Sequence, residues 1–575
     1  MKNLNATTVQ TRNSISWLEQ LPSWSLAAIG AVLLWLSQPP LGISAIAWIA
    51  VVPWLAYALR PSRSRGDQLR FFLIAMAYWA LTMQGIRHAH PAMYAALVAF
   101  AFYLACYSFA LVALVGQVAR SNRLPVWLAV PVIGTGLECL RNYLLTGISA
   151  VMLGHTQAQL PPLIQVADAF GSYGITFLVL LVNSAIYHAL STTGQPRMIR
   201  WRPLVIALIF VSIGLAYGVW RLRQADELRQ ADEAANVPTA RTTIALIGRD
   251  EEIVFIQDAQ REMRIFDAYF QQSLEAARKA AARNEYLAAV VWPESMYTGS
   301  LPWLEIDKPT SQEVAIDAEM AELIEGHRID FQRRSAQVQA AIQRITGQPT
   351  GPHLIVGCSV VRYGETPRMY SGVVVVGDRG QVSGWYGKMH LVMFGEYIPW
   401  IEYLPLIDRF VPPGMGIAQG EGPMSIEVGG LKLAPNVCIE TAVERIVPQQ
   451  VAELSERGLA PDAIVSVTND GWFDSSSIVE HHLRCSQFVA VTCRRPVLIS
   501  ANGGPTVWID GSGRVIERIG NEENGSILAH VVSDGRWSLY QTIGDWPARA
   551  MAAICLSMMG ATCFAWFRRK QGVRL

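Results

Sequence analysis

The chain has 575 residues, more than one ordinary domain holds, with 51% apolar residues, 16% charged residues and a net charge of +1. Soluble domains carry roughly 25% charged residues, so part of this chain does not face water. The balanced charge excludes nucleic-acid binding as the main activity, and the eight cysteines, with no CxxC pair and no His/Cys zinc spacing, indicate neither a disulfide framework nor a metal site.

Apolar runs without charge occupy 24–37, 42–59, 71–86, 92–119, 124–140, 174–190, 203–220 and, far downstream, 550–567. A membrane-spanning helix needs about 20 mostly apolar residues; several runs reach this alone, while the first, third and fifth are short. The first is not a cleavable signal, because Gln38-Pro39-Pro40 and another apolar run follow it. Basic clusters lie at 60–70, 120–123, 197–202 and 568–574, all on one side if each run crosses once. Positively charged loops mark the cytoplasm. Both termini are therefore expected inside and residues 221–549 outside. Arg221 and Arg223 run against this pattern.

After the seventh run the texture changes. RLRQADELRQADEAANVP (221–238) is polar and reads as a stalk or linker. Short β-type runs follow at 242–248, 287–295, 353–361, 371–377, 431–438, 462–470 and 495–504, with helical stretches at 256–283 and 312–346. Continuous apolar strands have both sheet faces covered. The expected organisation is a seven-helix transmembrane domain over 1–222, a linker over 223–240, an α/β domain over 241–535, and a C-terminal transmembrane helix with a basic tail over 536–575.

Three strand ends carry polar residues that a core would not choose. VVWPES ends in Glu294, GWYGKMHLVMFGEY carries Lys388 and Glu396, and APNVCIE carries Cys438. Strand ends in α/β folds are where ligand sites collect. Acyl transfer needs a nucleophile, a base for its proton and a positive donor for the developing oxyanion. Cysteine, glutamate and lysine fill these roles without a histidine. A lysine beside the thiol favours thiolate, and Glu294 takes the proton.

Glu, Lys and Cys in this order, within WPES, YGKMHLVMFGEY and PNVCIE, resemble the nitrilase (carbon–nitrogen hydrolase) superfamily. The helices before and after narrow the resemblance to the apolipoprotein N-acyltransferase family, which adds the third acyl chain to bacterial lipoproteins. SQPPLGISAIAWIAVVPWL (37–55), LECLRNYLLTG (137–147), LGHTQ (153–157), GSYGITFLVLLVN (171–183), VTNDGWF (467–473) and the stretch 495–504 carry it along the chain. The resemblance implies an α-β-β-α sandwich joined to a polytopic helical membrane domain. It implies Glu294 as general base, Lys388 as oxyanion lysine and Cys438 as nucleophile, with Glu396 and Glu440 in support and Trp472 near the acyl pocket. It also implies the cytoplasmic (inner) membrane of a bacterium, a phospholipid acyl donor, a diacylglyceryl-modified apolipoprotein acceptor, a thioester intermediate and no cofactor or metal. A membrane-anchored amidase acting on a C–N bond is the alternative, and a catalytically idle scaffold a third reading.

The chain departs from the family pattern at Met393, Ile439 and Ile148-Ser149-Ala150, and at Gln487, Val489 and Thr492, where charged residues are usual. None of these removes Glu294, Lys388 or Cys438. Cys358, Cys485 and Cys493 lack such partners and read as packing residues. Glu138 and Arg141, three apart near the end of a membrane run, can meet each other on a helix. His88 and His90 read as interfacial polar residues rather than metal ligands. The aromatic stretch 393–414, with Tyr397, Trp400 and Tyr403, suits the bilayer interface and is expected to form a lid that admits acyl chains.

Overall fold

The computed structural model describes residues 20–121, 124–191, 196–234, 242–253, 258–298, 301–307, 318–364, 366–393, 395–397 and 416–570. The N-terminal apolar runs fold into α1 (Ser23–Ser37), α2 (Val52–Ala58), α3 (Arg65–Thr82), α4 (Met93–Ser121), α5 (Val126–Tyr143), α6 (Ala167–Ser191) and α7 (Arg197–Ala234). A capping box starts α3: the Ser64 hydroxyl accepts from the Asp67 N–H, and the Asp67 carboxylate accepts from the Ser64 N–H. The second run, expected as one span, is broken into Ser44–Ile46, Ala47–Ala50 and α2. Pro53 has no N–H to give the Ile49 carbonyl, which ends one helical piece there.

Among the described residues, Met93–Ser121, Ala167–Ser191, Arg197–Gln230 and Trp546–Ala565 are long and apolar enough to cross a membrane. The 38 residues of α7 span about 57 Å at 1.5 Å per residue, well beyond the ~30 Å hydrocarbon core. The expected linker thus begins as helix: residues 223–234 continue α7, because Ala, Leu, Arg, Gln and Glu are strong helix formers. Residues 235–241 lie outside the described residues.

The strands of the α/β part are β1 (Thr242–Gly248), β2 (Leu287–Trp292), β3 (Trp303–Ile306), β4 (His353–Tyr363), β5 (Arg368–Val376), β6 (Val382–Gly387), β7 (Ile426–Val428), β8 (Leu431–Val437), β9 (Ala463–Asn469), β10 (Val497–Asn502), β11 (Thr506–Ile509), β12 (Val515–Ile519) and β13 (Gly525–Val531). One sheet runs β13-β1-β2-β4-β5-β6, with β3 beside β4; the other runs β12-β11-β10-β9-β8-β7. Four helices cover them: α8 (Ala259–Ala282), α9 (Ala318–Thr346), α10 (Ile446–Glu456) and α11 (Ser477–Cys493).

Alternation along β1 shows the layering. Ala245 and Ile247 join the core under α8 and α9, with Phe266, Tyr269 and Phe331. Ile244 and Leu246 face the other sheet, with Val437, Val465 and Leu498. Val447 of α10 and Val489 of α11 close the outer side of the second sheet. The result is an α-β-β-α sandwich, and α12 (Trp546–Lys570) returns the chain to the helical bundle against α5.

The sandwich sits on one end of the bundle. The Ser477 hydroxyl reaches the Thr82 carbonyl at the end of α3 at 3.4 Å, and Arg445 Nε donates to Asn142 O on α5 at 3.1 Å. The deepest tie is ionic. Asp168 on α6 is 1% exposed and accepts from Arg494, which follows α11, from Arg221 Nε at 2.8 Å and from the Tyr217 hydroxyl at 2.7 Å. Arg221, against the basic-loop pattern, is thereby explained as a buried partner. Asp168→Ala leaves two buried guanidinium groups without their carboxylate, a change expected to cost about 3–5 kcal/mol. Thermal unfolding and limited proteolysis in detergent should show a destabilised α/β part; an unchanged melt would contradict this.

Candidate active site

Glu294 follows β2, Lys388 follows β6 and Cys438 follows β8, so the site lies where strand ends of both sheets meet. Two of the turns are sharp. Cys438 holds φ 51° and ψ −114°, and Ser295 holds φ 65°. Such conformations cost about 1–3 kcal/mol in residues other than glycine and persist where the surroundings enforce them. Gly357 on β4 makes room for the Glu294–Ser295 turn: a Cβ there would lie 2.4 Å from the Glu294 Cα.

Lys388 is 1% exposed. Its Nζ lies 2.5 Å from Glu396 Oε1 and 3.4 Å from Glu294 Oε1. Burial alone would lower its pKa, but the carboxylates of Glu294 and Glu396 oppose burial and hold the ammonium protonated, well above the usual lysine range. Glu396 is itself held, since its Oε2 accepts the Val392 N–H at 2.7 Å. The Ser371 hydroxyl donates to Glu294 Oε1 at 2.9 Å. Burial pushes the Glu294 carboxyl up, and Lys388 opposes that shift. Burial also pushes the Cys438 thiol up; Glu294 adds to this and Lys388 opposes it. One ammonium with two carboxylates already leaves the pocket negative, so the resting sulfur keeps its proton, and an attack by it requires proton transfer to a base.

Glu440 is 0% exposed and spends both oxygens on the backbone. Oε1 accepts from Met389 N at 2.7 Å, His390 N at 3.2 Å and the Tyr386 hydroxyl at 2.8 Å; Oε2 accepts from Val437 N at 2.6 Å. One carboxylate therefore ties the residues after Lys388 to the residue before Cys438. Burial pushes its pKa up to about 7, against the pull of these donors.

A second brace lies on the other side of the Cys438 turn. His482 Nε2 is 3.1 Å from the Cys438 carbonyl oxygen and 2.7 Å from Thr441 Oγ1, while Nδ1 is 3.2 Å from Asp470 Oδ1. Burial would lower the His482 pKa, but Asp470 outweighs it and raises it. Sequence reasoning did not find Ser371, Tyr386, His482 or Asp470; they lie 77, 54, 44 and 12 residues from the partners they touch.

The remaining expected residues divide. Trp472 lies half-buried in the turn Asp470–Phe473 after β9, and His88 reaches that turn's neighbour Asp474 at 3.4 Å. Tyr397 is half-buried and bridges Met393 next to Glu396. Trp400, Tyr403 and most of the expected lid lie outside the described residues. Glu138 and Arg141 form no ion pair with each other: Glu138 accepts the Leu153 N–H at 2.7 Å and the Thr176 hydroxyl at 2.7 Å, and Arg141 donates to Ala150 O at 3.2 Å. The unusual positions on α11 face inward, where Gln487 donates to Gly513 O at 2.9 Å and Val489 and Thr492 are buried.

His155, Glu444 and Cys485 form a buried group at the junction of bundle and sandwich. Its polar atoms are already engaged with one another. His155 Nε2 bonds Glu444, its Nδ1 lies 3.9 Å from the Cys485 sulfur, and Glu444 also takes the Ser172 hydroxyl. A cation there would have to displace these bonds, and it would lie near the Arg484 guanidinium that donates to the His155 carbonyl at 3.3 Å.

Two substitutions test this geometry. Glu440→Gln presents an amide NH₂ to backbone N–H groups, so a loss of about 1–3 kcal/mol in stability is expected, with activity falling although Lys388 and Cys438 are intact. Thermal melts and turnover assays on the same preparation read both. Ser371→Ala removes a hydrogen bond that lowers the Glu294 pKa. The base must be unprotonated, so the acid limb of the kcat/KM profile should move to higher pH; an unmoved limb would argue against Glu294 as the base.

Comparison with known proteins bears on the whole chain. Residues 30–185 match the family model described as the apolipoprotein N-acyltransferase N-terminal domain, and residues 221–536 match that of the carbon-nitrogen hydrolases. Apolipoprotein N-acyltransferase of Rhodopirellula baltica is 40% identical, over 95% of this chain and 99% of its own. That of Geobacter metallireducens is 27% identical, over 95% of each chain. Among solved structures, an amidase from Nesterenkonia sp. is 15% identical, covering 51% of this chain and 91% of its own at a TM-score of 0.32, a likeness too low to add to these matches. The sequence matches run through both the helical bundle and the sandwich, and the chain belongs to the apolipoprotein N-acyltransferase family.

Proposed function

We propose that this protein moves an acyl chain from a phospholipid, through a thioester on Cys438, to the α-amino group of the diacylglyceryl-cysteine at the N-terminus of an apolipoprotein. The observation that carries this reading is a Glu294–Lys388–Cys438 constellation on a sandwich docked to the end of a helical bundle. Both substrates are lipids, so the chemistry has to be held at a bilayer face. The basic segments at 60–70, 120–123 and 197–202 and the C-terminal tail support cytoplasmic termini, with the sandwich on the outer side.

In the first step the Cys438 sulfur attacks the ester carbonyl while its proton passes to Glu294. The Lys388 ammonium, with backbone N–H groups, stabilises the tetrahedral oxyanion. The sn-glycerol oxygen leaves with that proton as lysophospholipid, and the thioester remains. In the second step the acceptor amine attacks the thioester, Glu294 receives the amine proton, and the Cys438 thiolate leaves and is reprotonated. Ordered this way, the kinetics are ping-pong. Glu396 keeps the ammonium aimed, and Glu440 keeps the Lys388 and Cys438 turns in register.

The first step has a direct readout. Detergent-purified protein incubated with phospholipid alone should gain the mass of one acyl chain, removable by hydroxylamine, and Cys438→Ala should not. A folded wild-type protein with no adduct would overturn the thioester and with it this reading.

A further inference from the structure

Each ring nitrogen of His482, a 9% exposed residue of α11, faces an acceptor. Nδ1 is 3.2 Å from Asp470 Oδ1, an oxygen that already accepts the Thr468 hydroxyl at 2.9 Å. Nε2 is 3.1 Å from the Cys438 carbonyl oxygen and 2.7 Å from Thr441 Oγ1, and the Thr441 hydroxyl donates to the same carbonyl at 3.2 Å. A neutral imidazole has one N–H. Placed on Nε2, it leaves the Nδ1 lone pair against the Asp470 carboxylate. Placed on Nδ1, it leaves the Nε2 lone pair against the Cys438 carbonyl. Only the imidazolium donates on both sides.

The surrounding charges favour that form. Asp470 is 2% exposed and, with Glu294, stabilises the cation. Other charged groups around α11 have partners of their own. Lys388 is held by Glu396 and Glu294, Glu440 by backbone N–H groups, Glu444 by His155 and Ser172, and Asp168 by Arg221 and Arg494. On α11 itself, Glu480 pairs with Arg518 at 3.0 Å and Arg484 donates to the His155 carbonyl.

We propose that His482, charged and held by Asp470, is a positioning residue for the reaction at Cys438: its hydrogen bond to the Cys438 carbonyl sets the strained backbone from which the sulfur projects, and activity falls when the imidazolium loses its proton. The inference rests on the reading of Cys438 as the nucleophile. Cys438 holds φ 51° and ψ −114°, a conformation that persists only while its surroundings enforce it, and ψ is the angle that places the carbonyl. A neutral His482 with its proton turned to Asp470 no longer donates to that carbonyl, so the turn relaxes and the sulfur loses its alignment with Glu294. Because Asp470 raises the His482 pKa, the cation prevails at neutral pH and is lost as pH rises through the raised value. Cys438 and Lys388 are held above their ordinary ranges, so neither supplies a falling limb near that of a histidine.

Full-length protein with isotope-labelled histidine, in detergent, gives the His482 titration by NMR, its signal being the one absent from His482→Gln. His482 should be cationic at about pH 7, and Asp470→Asn should lower its pKa by about one pH unit or more. The rate at which phospholipid acylates Cys438, read as adduct mass, should show an alkaline limb that moves down with it. His482→Gln, whose amide can donate to the carbonyl at every pH, should retain acylation and lose the limb. A neutral His482 at about pH 7 would overturn the inference, as would a limb unmoved in Asp470→Asn or kept in His482→Gln; a merely structural contact moves neither. Absence of the adduct on folded parent protein would instead overturn the thioester reading, and the titration would still decide the charge on His482.

Discussion

A lysine ammonium at 1% exposure is tolerable only with carboxylates around it, and Lys388 has two, Glu396 at 2.5 Å and Glu294 at 3.4 Å. This constraint organises the site. The cation must be supplied from β6, one anion from β2 and the other from the segment after Lys388. Removing any one would strand a buried charge. The same arrangement explains why the thiol stays protonated at rest. Its neighbourhood is already negative, so the sulfur would gain nucleophilicity only by losing its proton to a base.

Positioning falls to groups that do not react. Glu440 joins the backbone after Lys388 to the backbone before Cys438, and His482 with Thr441 holds the Cys438 carbonyl from the far side. Together they enforce the strained φ of Cys438. Glu444, four residues beyond Glu440, enters the junction with the bundle through His155 and Ser172, and its N–H donates to the Ser149 hydroxyl at 2.9 Å. The Cys438 turn and the attachment to the helical bundle are thus two ends of one short segment, which ties the position of the site to the packing of the bundle.

Much of this was legible in the sequence, for physical reasons. β1, β2, β9 and β10 are buried on both faces and read as largely apolar runs. β12 is largely exposed, and β3 and β11 are only four residues long, so they leave little pattern. Glu294, Lys388 and Cys438 stood out because charge and thiol end apolar runs. Ser371 did not, because it opens a valine run and its partner is 77 residues away. Glu440 was seen, but its backbone partners carry no side-chain signature. Glu138 and Arg141 mislead at the level of helix spacing: i,i+3 geometry permits a pair, but the loop after α5 offers each a better-placed backbone partner. The polar stretch after 222 misleads in another way, since a solvent-facing sequence rich in helix formers extends a membrane helix as readily as it makes a linker.

The central claim is transfer to an amine instead of to water, and the fate of a preformed acyl-enzyme tests it most directly. Protein acylated by phospholipid and freed of excess lipid would be split between buffer and buffer containing a diacylglyceryl-cysteine peptide, with adduct mass followed over time. The account predicts that the adduct persists in buffer and disappears with the peptide, yielding the N-acyl peptide in equal amount. Loss at the same rate in both, with free fatty acid as product, would contradict it.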